Sequence, residues 1–431
     1  MQAGEAPPSR SAVAEGWAWV ERSVWTERML KTLETGVKGG AWFSLVDKVY
    51  RPSTLAAAWE RVRRNAGSAG TDGQSVREIQ ANAEHHLKRL HDELREGTYR
   101  PLPVKRVWID KPGSRQKRPL GVPAVRDRIV QTALRLVIEP IFEREFAPRS
   151  YGFRPGRGCK DALRRVDALL RKGYVWGVDA DLKGYFDSIP HERLMEDVRE
   201  RIADGRVLGL IEGFLQQGIL EDMKLWTPDQ GTPQGAVISP LLANIYLHPV
   251  DGAMAEARYE MVRYADDFVI LCRSLPEAQA ALAKVRHLAE ARGLTLHPDK
   301  TRVVNALDEG FEFLGYRFEQ GRKWPRDKSL MKLKDAIRAK TKRTNGHSLE
   351  CIVADVNRTL RGWFEYFKHC HRTTFPSLDG WIRRRLRSLL RKRSKRRGIS
   401  RGEDHHRWPN AYFRECGLFS LEQAHRALLQ S

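Results

Sequence analysis

Residues 261–272 read MVRYADDFVILC, two apolar runs separated by Arg-Tyr-Ala-Asp-Asp. Short β-forming runs joined by turn residues predict a tight hairpin with Asp266 and Asp267 at its tip. Aspartate is a common turn residue because its side chain bonds to nearby backbone, so the pair means little by itself. A second carboxylate changes its weight. Upstream, YVWGVDADLKGYFDSIPH (174–191) opens with an apolar strand, Tyr174 to Val178, and Asp181 closes it. If the two strands are neighbours, Asp181 faces Asp266. Three carboxylates at adjacent strand ends can hold two Mg2+ ions about 3.5 to 4 Å apart, which activates a hydroxyl nucleophile and stabilises a departing phosphate.

Working outward, Pro276 opens a stretch in which Ala278, Ala281, Leu282, Val285 and Leu288 share one helical face, and Gly293 follows as a helix stop. LTLHPDKTRVV (294–304) then returns as a strand, giving a strand, helix, strand unit. Helix signals at 129–146, 161–171 and 191–202 make the first third mainly helical, so the expected class is α+β, a sheet domain between two helical regions. Asp187, shortly before Pro190, is as well explained by helix capping as by function.

The chain has 76 Lys and Arg against 54 Asp and Glu, a net charge of +22 that points to a polyanionic partner. Most of the excess lies in residues 326–401, with 23 basic against 6 acidic residues. Within it, Trp381 to Arg401 carries eleven basic residues and no acidic one, with Ile382, Leu386, Leu389 and Leu390 at helical spacing. This predicts a basic amphipathic helix that contacts RNA or DNA, with Arg383, Arg384, Arg387 and Arg391 as the candidate contacts, since sustained like charge repels itself unless neutralised. Five cysteines without a C-x-x-C pair argue against a disulfide framework or a four-cysteine zinc site. The absence of a long apolar run or a signal-peptide core predicts an intracellular, cytoplasmic protein with no membrane contact.

Several further stretches resemble, in order, the polymerase blocks of bacterial group II intron reverse transcriptases and maturases. They are RPLGVPAVRDRIVQTAL (118–134), SYGFRPGRGCKDAL (150–163), DADLKGYFDSIPH, GTPQGAVISPLLANIYL (231–247), YADD, LHPDKT and FEFLGYRF (311–318). NAGSAGTDG (65–73) resembles the family's N-terminal extension, and LRGWFEYFKH (360–369) with LDGWIRRRLR (378–387) its maturase domain. The resemblance implies that Asp181 and Asp266 hold two Mg2+ ions, with Asp267 a weaker third carboxylate. It also implies that Lys111 and Arg118 grip the triphosphate, Phe186 rejects a 2′-hydroxyl, and Gln234 and Gly235 pack on the nascent base pair. Lys300 is the implied general acid for pyrophosphate. Asp110 departs from the pattern, which more usually has proline there, and could alter the triphosphate loop. Nothing after residue 402 resembles the zinc-bearing nuclease domain of longer relatives, so bottom-strand cutting is not expected. Pro240 stands where diversity-generating enzymes usually carry Gln.

The fold implied is an α+β right hand: an N-terminal helical extension (1–44), fingers (45–173), a palm built on a small antiparallel sheet (174–323), a basic helical thumb and maturase segment (324–401) and a tail (402–431). The function implied is RNA-directed DNA polymerisation from dNTPs on an RNA template with a DNA primer, together with binding of the group II intron RNA and action on target DNA; a homodimer is compatible with this. Rival readings are a reverse transcriptase domesticated for phage defence or repair, a non-catalytic RNA-binding splicing factor, and an RNA-directed RNA polymerase. The complete carboxylate set opposes the second and Phe186 the third.

Overall fold

The computed structural model describes residues 17–37, 39–110, 117–221, 224–396 and 402–430. In chain order its strands are β1 (Val104–Asp110), β2 (Lys117–Val122), β3 (Trp176–Asp181), β4 (Ile219–Glu221), β5 (Lys224–Trp226) and β6 (Glu260–Tyr264). They continue as β7 (Asp267–Cys272), β8 (Arg302–Asn305), β9 (Phe311–Phe313), β10 (Tyr316–Glu319) and β11 (Arg322–Pro325). The central, palm sheet has the order β6-β7-β3-β8 with every neighbouring pair antiparallel.

Phe268 to Cys272 are buried without alternation, so this sheet is covered on both faces. Helices Ser239–Glu256 and Leu275–Ala291 cover one face, where Phe268, Ile270 and Cys272 join their core. The second of these helices has Pro at its first turn and a Ser274 cap on the Glu277 amide, and Gly293 follows it at φ 73°. Its buried face is Ala278, Ala281, Val285 and Ala289, small residues that let the helix lie close to the strands. Helix Cys159–Arg171 covers the other face, where Val262, Val269 and Leu271 merge with the core of the C-terminal region.

Two further sheets lie beyond the strand, helix, strand unit. One, β2-β1-β4-β5, includes a parallel pairing of Val104 with Ile219 and lies on the fingers side. The other, β11-β10-β9, is an antiparallel meander of short strands leading into the C-terminal helices. Its Phe311, Phe313, Tyr316 and Phe318 are buried, and they bond the palm to the thumb as one hydrophobic cluster.

The thumb is built on helices Asp327–Lys340, Leu349–Phe367 and Thr374–Arg393. The apolar stripe expected in the basic helix is present, with Ile382, Leu386, Leu389 and Leu390 all buried. Its RNA-facing set needs correction. Arg387 is 2% exposed, donating to the Trp408 carbonyl (2.9 Å) and Asn410 Oδ1 (2.7 Å) with its guanidinium over the Phe413 ring. Arg391 donates to Asp404 at 2.8 Å, a carboxylate with no exposure. The reason is the tail: residues 402–430 fold back as three short helices onto this helix and cover two of the four arginines expected to face RNA. Arg384 is exposed and Arg383 half-buried. The aromatic residues of Leu349–Phe367 also pack inward, Trp363 against Phe367 and Phe364 between Phe375 and Phe419. Asp379 holds the last helix by accepting the Leu421 and Glu422 amides, both at 3.1 Å. Among the described residues all five cysteines are free, and no helix is long and apolar enough to cross a membrane.

Candidate active site

The hairpin expected from MVRYADDFVILC forms between β6 and β7, with Tyr264 paired to Asp267 and Ala265-Asp266 as its two-residue turn. Ala265 adopts φ 59°, the left-handed region that costs a non-glycine residue about 1 kcal/mol or more. In the β3/β7 ladder the residue opposite Asp181 is Asp267, and Asp266 projects from the turn beside them. The strand expected to close at Asp181 runs from Trp176 to Asp181 and carries the carboxylate to the mouth of the sheet.

Electrostatics record the crowding. Burial pushes Asp267 up to about 7, and the charges of Asp179, Asp266 and Asp181 push the same way. Burial also raises Asp266, with Asp181 adding to it and Arg118 and Arg263 opposing. The Lys300 ammonium answers part of this negative charge by pairing with Asp181, while Arg302 lies 3.4 Å from Asp179. The backbone of the meander, at Leu314 and at Glu312, acts in the opposite direction to burial on Asp267 and Asp179 respectively. Among the described residues no three His, Cys, Asp or Glu side chains converge on a single point. All the candidate ligands here are hard carboxylate oxygens, which fits Mg2+, an ion that keeps water and substrate phosphate oxygens as its remaining ligands.

The residues expected on the nucleotide side come from three separate segments. Phe186 and Asp187 lie in the short helix Tyr185–Ser188, with Phe186 half-buried and edge-on to Tyr185 at 5.5 Å. The Thr232 amide donates to the Phe186 carbonyl (2.7 Å) and Gln234 Nε2 reaches Asp187 at 3.3 Å, so the 230–235 loop lies directly on this helix. Burial raises the Asp187 carboxyl, and Arg106 and Arg118 act on it in opposition. Asp187 does not cap the next helix, where the N-cap is Pro190 with no side-chain bond. Arg118, exposed on β2, acts on both Asp266 and Asp187 and so lies within electrostatic reach of the two halves of the site. Lys111 lies outside the described residues. A cavity of about 540 Å³ continues behind Gln234, lined in part by Arg106, Asp187, Trp226 and Thr232.

Gly235 joins this loop to the fingers. It has φ 109°, and a Cβ there would overlap the Gly121 carbonyl oxygen, while the Gly121 amide donates to Gln234 O at 2.6 Å. Gly235→Ala should force these backbones apart and lower the melting temperature in a thermal scan. Gly205→Ala, in a helical position where a Cβ meets nothing within 4 Å, should not. An unchanged melt for Gly235→Ala would refute this account of the junction.

Sequence reading passed over Arg263, the residue before Tyr264. It is buried beneath the turn with Asn244 and Asp251. Charged side chains seldom have 2% exposure unless they are paired, and the partners here lie on the helix Ser239–Glu256.

The chain matches the family model described as reverse transcriptase (RNA-dependent DNA polymerase) over residues 109–318, and that of the group II intron, maturase-specific domain over residues 330–408. It is 36% identical over 315 residues to protein YkfC of Escherichia coli (strain K12), covering 63% of this chain and 82% of that protein. It is 38% identical over 259 residues to the group II intron-encoded protein LtrA of Lactococcus lactis subsp. cremoris, covering 60% of this chain and 42% of LtrA. An uncharacterized 91 kDa protein in a cob intron of Schizosaccharomyces pombe is 31% identical over 317 residues, covering 60% and 39%. The chain thus spans most of YkfC and less than half of LtrA.

Proposed function

Because the chain belongs to the group II intron-encoded reverse transcriptase and maturase family, we propose that it is an RNA-directed DNA polymerase that also binds a group II intron RNA to promote splicing and mobility into target DNA. The observation that carries the polymerase half is the apposition of Asp181 and Asp267 across one ladder, with Asp266 in the adjoining turn. A binding-only splicing factor has no use for such a costly cluster of like charges.

Asp181 and Asp266 would hold two Mg2+ ions. When bound, the metal supplies Lewis-acid stabilisation of the attacking 3′-hydroxyl and the departing pyrophosphate. The chain's own groups do the rest. Arg118 offers a planar fork to the triphosphate, and Gln234 and Gly235 form the floor against which the new base pair packs. Lys300, paired with Asp181 in the structure, is the candidate donor of a proton to pyrophosphate. The basic thumb and its tail supply the intron-binding surface through exposed cations such as Arg384 and Lys392.

The test is primer extension by the purified chain on an RNA template, with dNTPs or rNTPs as the only nucleotides. DNA synthesis is expected, and a folded chain that extends nothing refutes the reading. A finer version examines Phe186. Its ring lies half-buried at the end of β3, where it can close off the space beneath a sugar. Phe186→Ala should lower the dNTP-to-rNTP ratio of kcat/KM by about tenfold or more, the range that steric pocket discrimination commands. A ratio equal to the parent's would make Phe186 a packing residue.

A further inference from the structure

The two halves of the active site share one ruler, the helix Ser239–Glu256. Its start is fixed to the nucleotide loop, since Ser239 Oγ donates to the Pro233 carbonyl at 2.9 Å. One turn further on, the Tyr185 hydroxyl donates to the Ala243 carbonyl, tying the helix to the segment that carries Phe186. The next residues on the helix reach toward the catalytic turn instead.

Arg263 leaves β6 just before the turn and is buried to 2% exposure, with Asn244 at 1% and Asp251 at 4%. Its guanidinium grips Asp251 through both oxygens, Nε at 2.8 Å and Nη2 at 2.5 Å. The remaining nitrogen, Nη1, donates to Asn244 Oδ1 (3.0 Å) and to the carbonyl of Ala265 (2.8 Å), inside the turn itself. Asn244 then donates its own amide to the Gly152 carbonyl at 2.8 Å. Gly152 has no Cβ, and one placed there would overlap the Ala265 amide. The turn is thus held from below by a charged fork and from the side by bare backbone.

From this the geometry points to Arg263 and Asn244 as positioning residues: with Asp251 as their anchor, they hold the strained Ala265 peptide so that Asp266 is presented beside Asp181. The strain at Ala265 supports it. A left-handed non-glycine residue persists only where its surroundings over-determine it, and such residues gather where geometry has to be held for chemistry. Reacting groups tolerate little misplacement, and a shift of about 1 Å can cost about a hundredfold in rate. A lysine in place of Arg263 would keep a charge near Asp251 but lacks the planar fork that spans three acceptors. The proposal rests on the polymerase reading above.

The test uses the full chain carrying Asn244→Ala, which leaves the Arg263–Asp251 pair intact, and separately Arg263→Lys. Three quantities are read: the melting temperature, kcat and KM for dTTP on an oligo(dT)-primed poly(rA) template, and binding of Mn2+ alone by paramagnetic resonance. Expected are a fall in kcat of about tenfold for Asn244→Ala and about a hundredfold for Arg263→Lys, with KM for dTTP within about twofold of the parent. Mn2+ binding should weaken in both variants, well below their melting temperatures. If Arg263→Lys fails to fold, Asn244→Ala decides alone. A folded Asn244→Ala chain with parental kcat, or with parental Mn2+ affinity, overturns the positioning role. If the parent itself extends no primer, the polymerase reading fails instead, and Mn2+ binding still judges whether Asn244 shapes the carboxylate site.

Discussion

Asp266→Asn and Asp181→Asn are each expected to lower the rate of nucleotide addition by about a hundredfold to a thousandfold, the loss typical when one preorganised electrostatic partner of a transition state is removed. Asp267→Asn should cost much less. Asp181 ends β3 and Asp266 projects from the turn, whereas the Asp267 carboxyl is pushed up to about 7 by burial and its neighbours. An Asn at 267 removes one of the mutually repelling charges. The graded order, two large losses and one small, separates the metal-site reading from a merely crowded turn. Single-turnover extension at saturating dNTP and primer measures it. RNA affinity should change little in all three variants, because the excess positive charge lies chiefly in residues 326–401. Parental extension rates in a folded Asp181→Asn or Asp266→Asn chain would remove those residues from the site.

The carboxylate site was legible in sequence because its information is local. A two-residue turn between β-forming runs fixes which residues project, and an apolar run as continuous as Phe268 to Cys272 announces a strand covered on both faces. Only the partner was inexact, since a ladder's register depends on both strands and pairs Asp181 with Asp267, not with Asp266. The fingers sheet was not legible. Strands β4 and β5 have three residues each, and the β1/β4 pairing joins Val104 to Ile219 across more than a hundred residues. Nothing in either segment carries the period of a strand long enough to detect.

Buried charge was the other thing hidden. Arg263 lies on a strand next to Tyr264, and its partner Asp251 is in a helix that by itself reads as apolar and ordinary. Arg387 sits in a helix whose sequence is dense in arginine, and no pattern distinguishes it from Arg384. The distinction comes from a backbone carbonyl at Trp408 and the side-chain oxygen of Asn410, set in a tail whose approach depends on packing. Side-chain charge shows up in composition, whereas burial belongs to the assembled tertiary structure.

That difference predicts opposite outcomes for arginines three positions apart. Arg387→Gln should destabilise the thumb, because two hydrogen bonds from a charged donor are lost, each worth about 1.5 to 3 kcal/mol, and the Trp408 carbonyl is left buried without its partner. Arg387→Lys should restore little, since an ammonium cannot bridge both acceptors while covering the Phe413 ring. Neither change should alter how RNA binding responds to salt, measured below the melting transition. Replacing the exposed Arg384, Lys392 and Lys395 with Gln should do the reverse: an unchanged melt, weaker intron RNA binding, and a flatter plot of log affinity against log salt. Counterion release sets the size of that change at about 0.7 to 0.9 in slope for each phosphate contact removed. The deciding measurement is a salt titration of RNA binding paired with a thermal scan for the parent, Arg387→Gln and the triple variant. A flattened slope for Arg387→Gln with no loss of stability would mean that its guanidinium reaches RNA in the complex, and that the tail must lift from the helix to release it.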